Sequence, residues 1–174
     1  MVTYPSRGAS LGSMSMILRC TAKALQLLGP TRLASPPPAD DADWYLNVLW
    51  IERRKCLLLT HSGTLFPVFV PDVHAADLRP LGRWLVTTVE AELRREGLPT
   101  DCFGVLDADD LHLAKTASRS VLGVMNDVAF QVRYAVASDG GLAHIDAAQL
   151  NHDLRRALHS VRGEYVTSIE LLTK

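Results

Sequence analysis

The stretch Trp44–Val70, WYLNVLWIERRKCLLLTHSGTLFPVFV, constrains this chain more than any other. Extended, it points Trp44, Leu46, Val48 and Trp50 one way and Tyr45, Asn47, Leu49 and Ile51 the other. Both sets are largely apolar, which predicts a central strand covered on both faces. Glu52–Lys55 is a polar break that reads as a hairpin loop. Cys56–His61 is a second apolar run, Ser62-Gly63 a turn and Leu65–Val70 a third run. Pro67 cannot donate a ladder hydrogen bond, so the third strand belongs at an edge or begins irregularly. Short loops favour antiparallel neighbours, because a parallel pair needs a long crossover. The predicted fold is therefore α+β: a largely antiparallel sheet built around a three-stranded meander and covered by three main helices.

The flanking segments supply those helices. Ile17–Cys20 reads as a short strand, with Thr21 capping a helix over Ala22–Leu28 that Gly29-Pro30 stops. Ser35–Asp43 reads as an extended loop whose acids belong in solvent. Asp77 is placed to cap a helix from Leu78 to Glu96, with Pro80 in its first turn and Gly97 after its end. Its apolar stripe is Leu78, Leu81, Leu85, Val89 and Leu93. Cys102–Leu106 and Leu111–Lys115 read as short strands on either side of the acidic turn Asp107–Asp110. Ala117–Ala137 carries Val121, Leu122, Val124, Met125, Val128, Ala129 and Val132 at helical spacing. It is the helix expected to be most buried, lying across the meander, and Ser138–Gly141 ends it. Asp146 can cap a further helix to about His159, with Leu150, Leu154 and Leu158 inward. Glu164–Lys174 fits either a strand or a helical turn.

At 174 residues the chain suits one domain, expected over residues 17–174. Residues 1–16 read as a disordered extension, and Met14 or Met16 are alternative starts to Met1. A net charge of −1 gives no global field for nucleic acid or an anionic membrane. No apolar run approaches the roughly 20 residues of a membrane span. Three cysteines, Cys20, Cys56 and Cys102, lie far apart without a Cys-x-x-Cys. That argues against a disulfide framework or zinc site and fits a reducing, cytoplasmic setting.

One polar cluster stands out. On a helical wheel Arg119, Gly123, Asn126, Phe130 and Arg133 fall on one side of the Ala117–Ala137 helix. Lys115 and Thr116 lead into it, and Thr116 or Ser118 can cap it. Lys115, Thr116, Ser118, Arg119, Ser120 and Asn126 thus form a candidate anion site at a helix N-terminus, where free N–H groups, the dipole and two cations act together. Gly123 would admit a ligand or backbone closely. The plainer alternative is a simple cap, solvated or ion-paired arginines, and an Asn126 bonded to a nearby loop.

The segments ILRCTAKALQLLG, WYLNVLWIERRKCLLLTHSGTLF, VPDV and KTASRSVLGVMND resemble a bacterial family catalogued as domain of unknown function 6933. The resemblance runs from Ile17 to Asp127 and implies no activity, substrate or catalytic residue. Matching Arg119, Ser120, Gly123 and Asn126 to its motif marks where to look.

Other chemistry is sparse. Cys20 sits where a strand meets a helix start, a place that can lower a thiol pKa, so it is a candidate reactive thiol; a buried structural cysteine is the competing reading. The six histidines show no metal spacing, so no metal or cofactor is expected. Asp109-Asp110 reads as an acidic turn rather than a catalytic pair. Arg53-Arg54-Lys55, extended by Arg155-Arg156 and Arg162, is the run that would touch a nucleic-acid backbone, a partner that the neutral net charge disfavours. The leading expectation is a non-catalytic interaction or regulatory module, with a protein as possible partner. A nucleic-acid accessory protein or an enzyme using Lys115–Asn126 is the alternative.

Overall fold

The computed structural model describes residues 15–29, 32, 33, 35, 37–161 and 163–174. The expected meander is present as β2 (Trp44–Ile51), β3 (Arg54–His61) and β4 (Pro67–Val70), each antiparallel to the next. The β2–β3 loop is narrower than expected. Glu52 and Arg53 alone make the turn, with left-handed φ values of 49° and 64°. Such a two-residue turn matches the twist of the strands it joins, so Arg54 and Lys55 are free to pair. The third strand starts at Pro67 and lies at the sheet edge, as its missing N–H requires.

The sheet itself is not largely antiparallel. Its order is β4-β3-β2-β1-β5, and β1 (Met16–Cys20) runs parallel to both β2 and β5 (Leu111–Lys115). The short-loop argument holds inside the meander. It says nothing of β1, which reaches β2 through a crossover carrying α1 (Ala22–Leu28). Thr21 caps α1 by accepting from the Ala24 N–H, and Gly29 closes it at φ 57°. Pro30 lies outside the described residues. So do residues 1–14 of the expected extension, whereas Met16 opens β1.

Helices cover both faces, and there are five rather than three among the described residues. On one face Leu18, Cys20, Trp44, Leu46, Val48, Leu57 and Leu59 pack under α1 and α2 (Leu81–Arg95). On the other Tyr45, Leu49, Ile51, Cys56, Leu58 and Phe69 pack under α3 (Arg119–Ser138) and α4 (Ala147–Leu154). This is the alternation read from β2, now with a helical layer on each side. α3 buries Val121, Val124, Met125, Val128, Ala129, Val132 and Val136 across the meander, as its periodicity predicts.

Several boundaries differ. α2 begins at Leu81, because Asp77 instead closes a 3-10 turn over Ala75–Leu78 by accepting from the His74 N–H. Cys102–Leu106 forms turns and irregular chain; Phe103 is drawn onto Trp44 and His61 instead of into a ladder. α4 stops at Leu154, leaving Leu158 exposed and His159 at the start of a small hairpin, β6 (His159–Val161) and β7 (Glu164–Val166). The tail takes both readings in turn: β7, then α5 (Ser168–Thr173), capped by Thr167 and Glu170. Asp43 is not in solvent but buried, because Arg19 of β1 meets it.

Candidate functional site

Arg19 is the one charge in the apolar strand MILRC, and it is fully buried. Such a charge persists in a core only with partners. Its Nε lies 2.5 Å from Asp43 Oδ2, its Nη2 donates to the Pro37 carbonyl at 2.8 Å, and its Nη1 to the Lys115 carbonyl at 3.3 Å. One guanidinium therefore ties the loop before β2 to the chain leaving β5. Asp43 passes the constraint on by accepting the Asp40 N–H at 3.0 Å.

Beside this strut the chain into α3 is fixed from below. Tyr45 is buried, and its hydroxyl accepts the Ser118 N–H at 3.1 Å. Burial raises the Tyr45 pKa, against the opposing pull of that hydrogen bond and of Arg19. Ser118 caps α3 by accepting the Val121 N–H at 3.3 Å, and its Oγ lies 2.9 Å from Ser120 Oγ. Across from it the turn at Gly63 lies flat on the Asp40–Asp41 loop, the Gly63 N–H donating to the Asp41 carbonyl at 2.8 Å. A Cβ on Gly63 would come within 2.8 Å of that oxygen, so only glycine permits the approach.

Between these walls lies a cleft of about 460 Å³. That is the size of an ordinary small-molecule site. Asp40, Asp41, Ser62, Ser118, Ser120 and Ser160 supply its polar groups, over an apolar floor that includes Val121 and Val124.

The residues singled out by sequence separate here. Ser118 and Ser120 line the cleft; Lys115, Thr116, Arg119 and Asn126 do not. Lys115 ends β5 with an exposed side chain, Thr116 is half-buried, and Arg119 and Asn126 lie on the solvent side of α3 with Gly123 and Phe130. Cys20 lies on the opposite face of the sheet, where burial pushes its thiol up to about 12. That is the setting of an inert core cysteine rather than of a thiolate nucleophile. His61 is on that same far side, packed on Trp44 and Phe103.

The basic run is largely engaged. Arg54 pairs with Asp72 at 2.7 Å and Lys55 lies over the Trp50 ring. Arg155 cannot extend the patch, being buried between Glu92 and Glu96 at 2.6 and 3.0 Å. Arg162 lies outside the described residues.

Reading by pattern missed Arg19, Tyr45, Asp40, Asp41, Ser62 and Ser160. Two signals were present: a lone arginine in an apolar strand, and a Ser-Gly turn after a buried one.

The fold and cleft define a mixed α/β protein, sheet between helical layers, with a polar cleft at the start of its longest helix. The chain belongs to the family described as domain of unknown function (DUF6933), whose model matches residues 17–171. No curated protein and no solved structure matches it. Among the described residues no helix is long and apolar enough to cross a membrane.

Proposed function

We propose that this protein is a non-catalytic binding module, bacterial and cytoplasmic, whose cleft at the start of α3 receives a small ligand. One observation carries the reading. Four hydroxyls and two carboxylates converge over an apolar floor, and the wall that presents them is held by a buried strut. Ordering the wall in advance lowers the entropic cost of binding. Neither His61 and Cys20, which lie on the other side of the sheet, nor the buried Cys56 and His159 are among the residues that line the cleft. A fragment screen read by amide NMR tests the proposal. Ligand-induced shifts are expected to cluster at Ser62, Gly63, Ser118–Val121 and Ser160, and to vanish when the cleft is filled by Ser120→Trp. Shifts that map elsewhere, or persist in that variant, would remove it.

A second reading rests on the hydroxyl pair in the first turn of α3. An anion held there by Thr116, Ser118 and Ser120 would draw on Lys115, Arg119 and Asn126 from the outer side of the helix. Inorganic phosphate titrated against wild type and Arg119→Ala decides it: equal affinity in both would dismiss the anion site.

A further inference from the structure

We infer that the ligand of this cleft carries a positively charged nitrogen on a short apolar body. The inference rests on the cleft being a ligand site, as proposed above. The charged side chains among its lining residues are Asp40 and Asp41; no lysine or arginine of the described residues lines it. Arg19, behind the wall, is neutralised by Asp43, and its other donors are turned to carbonyl oxygens. The start of α3 offers less to an anion than a bare helix end. Its Ser118 N–H is already given to Tyr45, and its Val121 N–H to Ser118 Oγ. What remains is acceptor-rich.

Asp40 is also held in place. Its backbone N–H is fixed through Asp43 to Arg19, and its Oδ1 accepts the Ala42 N–H at 2.8 Å. A cation beside these two aspartates would gain charge-assisted hydrogen bonds from their carboxylates. The apolar residues Leu65, Val121, Val124, Val161 and Leu171 are also part of the cleft's lining. They lower the local dielectric and would cover a hydrocarbon portion. An ammonium also matches the serines, whose oxygens accept its remaining N–H groups.

Three probes with one tail and different heads test this: hexylamine, hexan-1-ol and hexanoate, titrated while following the Gly63 and Ser120 amides by NMR. The expected result is binding of hexylamine about tenfold or more tighter than of hexanoate, with Asp41→Asn and Asp40→Asn each eroding that preference. Both substitutions keep the side-chain shape, and the amide introduced by Asp40→Asn retains an oxygen to accept the Ala42 N–H, so the fold is preserved. If hexanol and hexanoate bind as tightly as the amine, or the amine is unaffected in the Asp40→Asn/Asp41→Asn double variant, the amine inference falls while the cleft stands as a ligand site. If none of the three binds, the cleft reading falls with it.

Discussion

His61 shows how a single side chain is set by its surroundings. It lies 5.1 Å from the Trp44 ring and 4.4 Å from Phe103, and its Nδ1 accepts the Thr64 N–H. Burial lowers its pKa from 6.5 to about 4, against an opposing pull from Asp40. A depressed histidine is neutral when folded and takes up a proton when unfolded. Between pH 6.5 and about 4 the unfolded chain therefore binds more protons, and stability falls as pH falls. The full effect is on the order of 3 kcal/mol. An NMR titration of the His61 ring should show it neutral down to about pH 4; a midpoint near 6.5 would mean the ring is not enclosed. Cys20 and Arg19, neighbours in sequence, show the same dependence on surroundings. The thiol points into one core and loses its acidity, while the guanidinium on the other face finds a carboxylate.

Within the elements, two glycines in helices make opposite predictions. Gly82, near the start of α2, lies against the loop that leads to β5, and a Cβ there would overlap the Ala108 carbonyl oxygen. Gly82→Ala should therefore destabilise by about 1–3 kcal/mol. That outweighs the roughly 1 kcal/mol that alanine adds in a helix. Gly123 is exposed on α3, and a Cβ there meets nothing within 4 Å. Gly123→Ala should accordingly stabilise by roughly 0.5–1 kcal/mol. Chemical denaturation of the two variants checks both signs. Strand β4 adds a related lesson. As an edge it would expose the backbone of Phe69, but Asn151 of α4 closes it, its Oδ1 accepting the Phe69 N–H at 2.7 Å and its Nδ2 donating to the Phe69 carbonyl at 2.9 Å. An amide side chain thus stands in for a further strand.

Across the whole molecule, the two helical layers are joined around the end of the sheet by one charged cluster. Arg155, just after α4, reaches Glu92 and Glu96 at the end of α2, stacks on Phe66, and donates to the Pro67 carbonyl. Arg156 adds a bond to Glu96 at 2.9 Å. Burial would raise the Glu96 pKa, but the hydrogen bonds from Arg156 and Arg155 outweigh it and hold the carboxyl below its ordinary value of 4.5. Its contribution is therefore present above that pH and is lost as pH falls through the lower folded value. Glu92→Gln leaves the Arg155 charge buried with less compensation, and should cost about 3–5 kcal/mol. Thermal unfolding of the variant measures it, and a loss under about 1 kcal/mol would show the cluster to be solvated.

The local pattern determined the meander, the buried stripe of α3 and the caps Thr21, Ser118 and Asp146. Alternation and capping are decided within a few residues, so they can be read along the chain. Tertiary structure alone placed β1 between β2 and β5, where Cys20 pairs with the distant Lys115. It also buried Asp43 on Arg19, closed the edge with Asn151, and brought Asp40, Ser62, Ser118 and Ser160 round one cleft. Periodicity tells which face of an element is apolar. It does not tell which distant element will cover that face, and a polar group finds its partner only once the covering is in place.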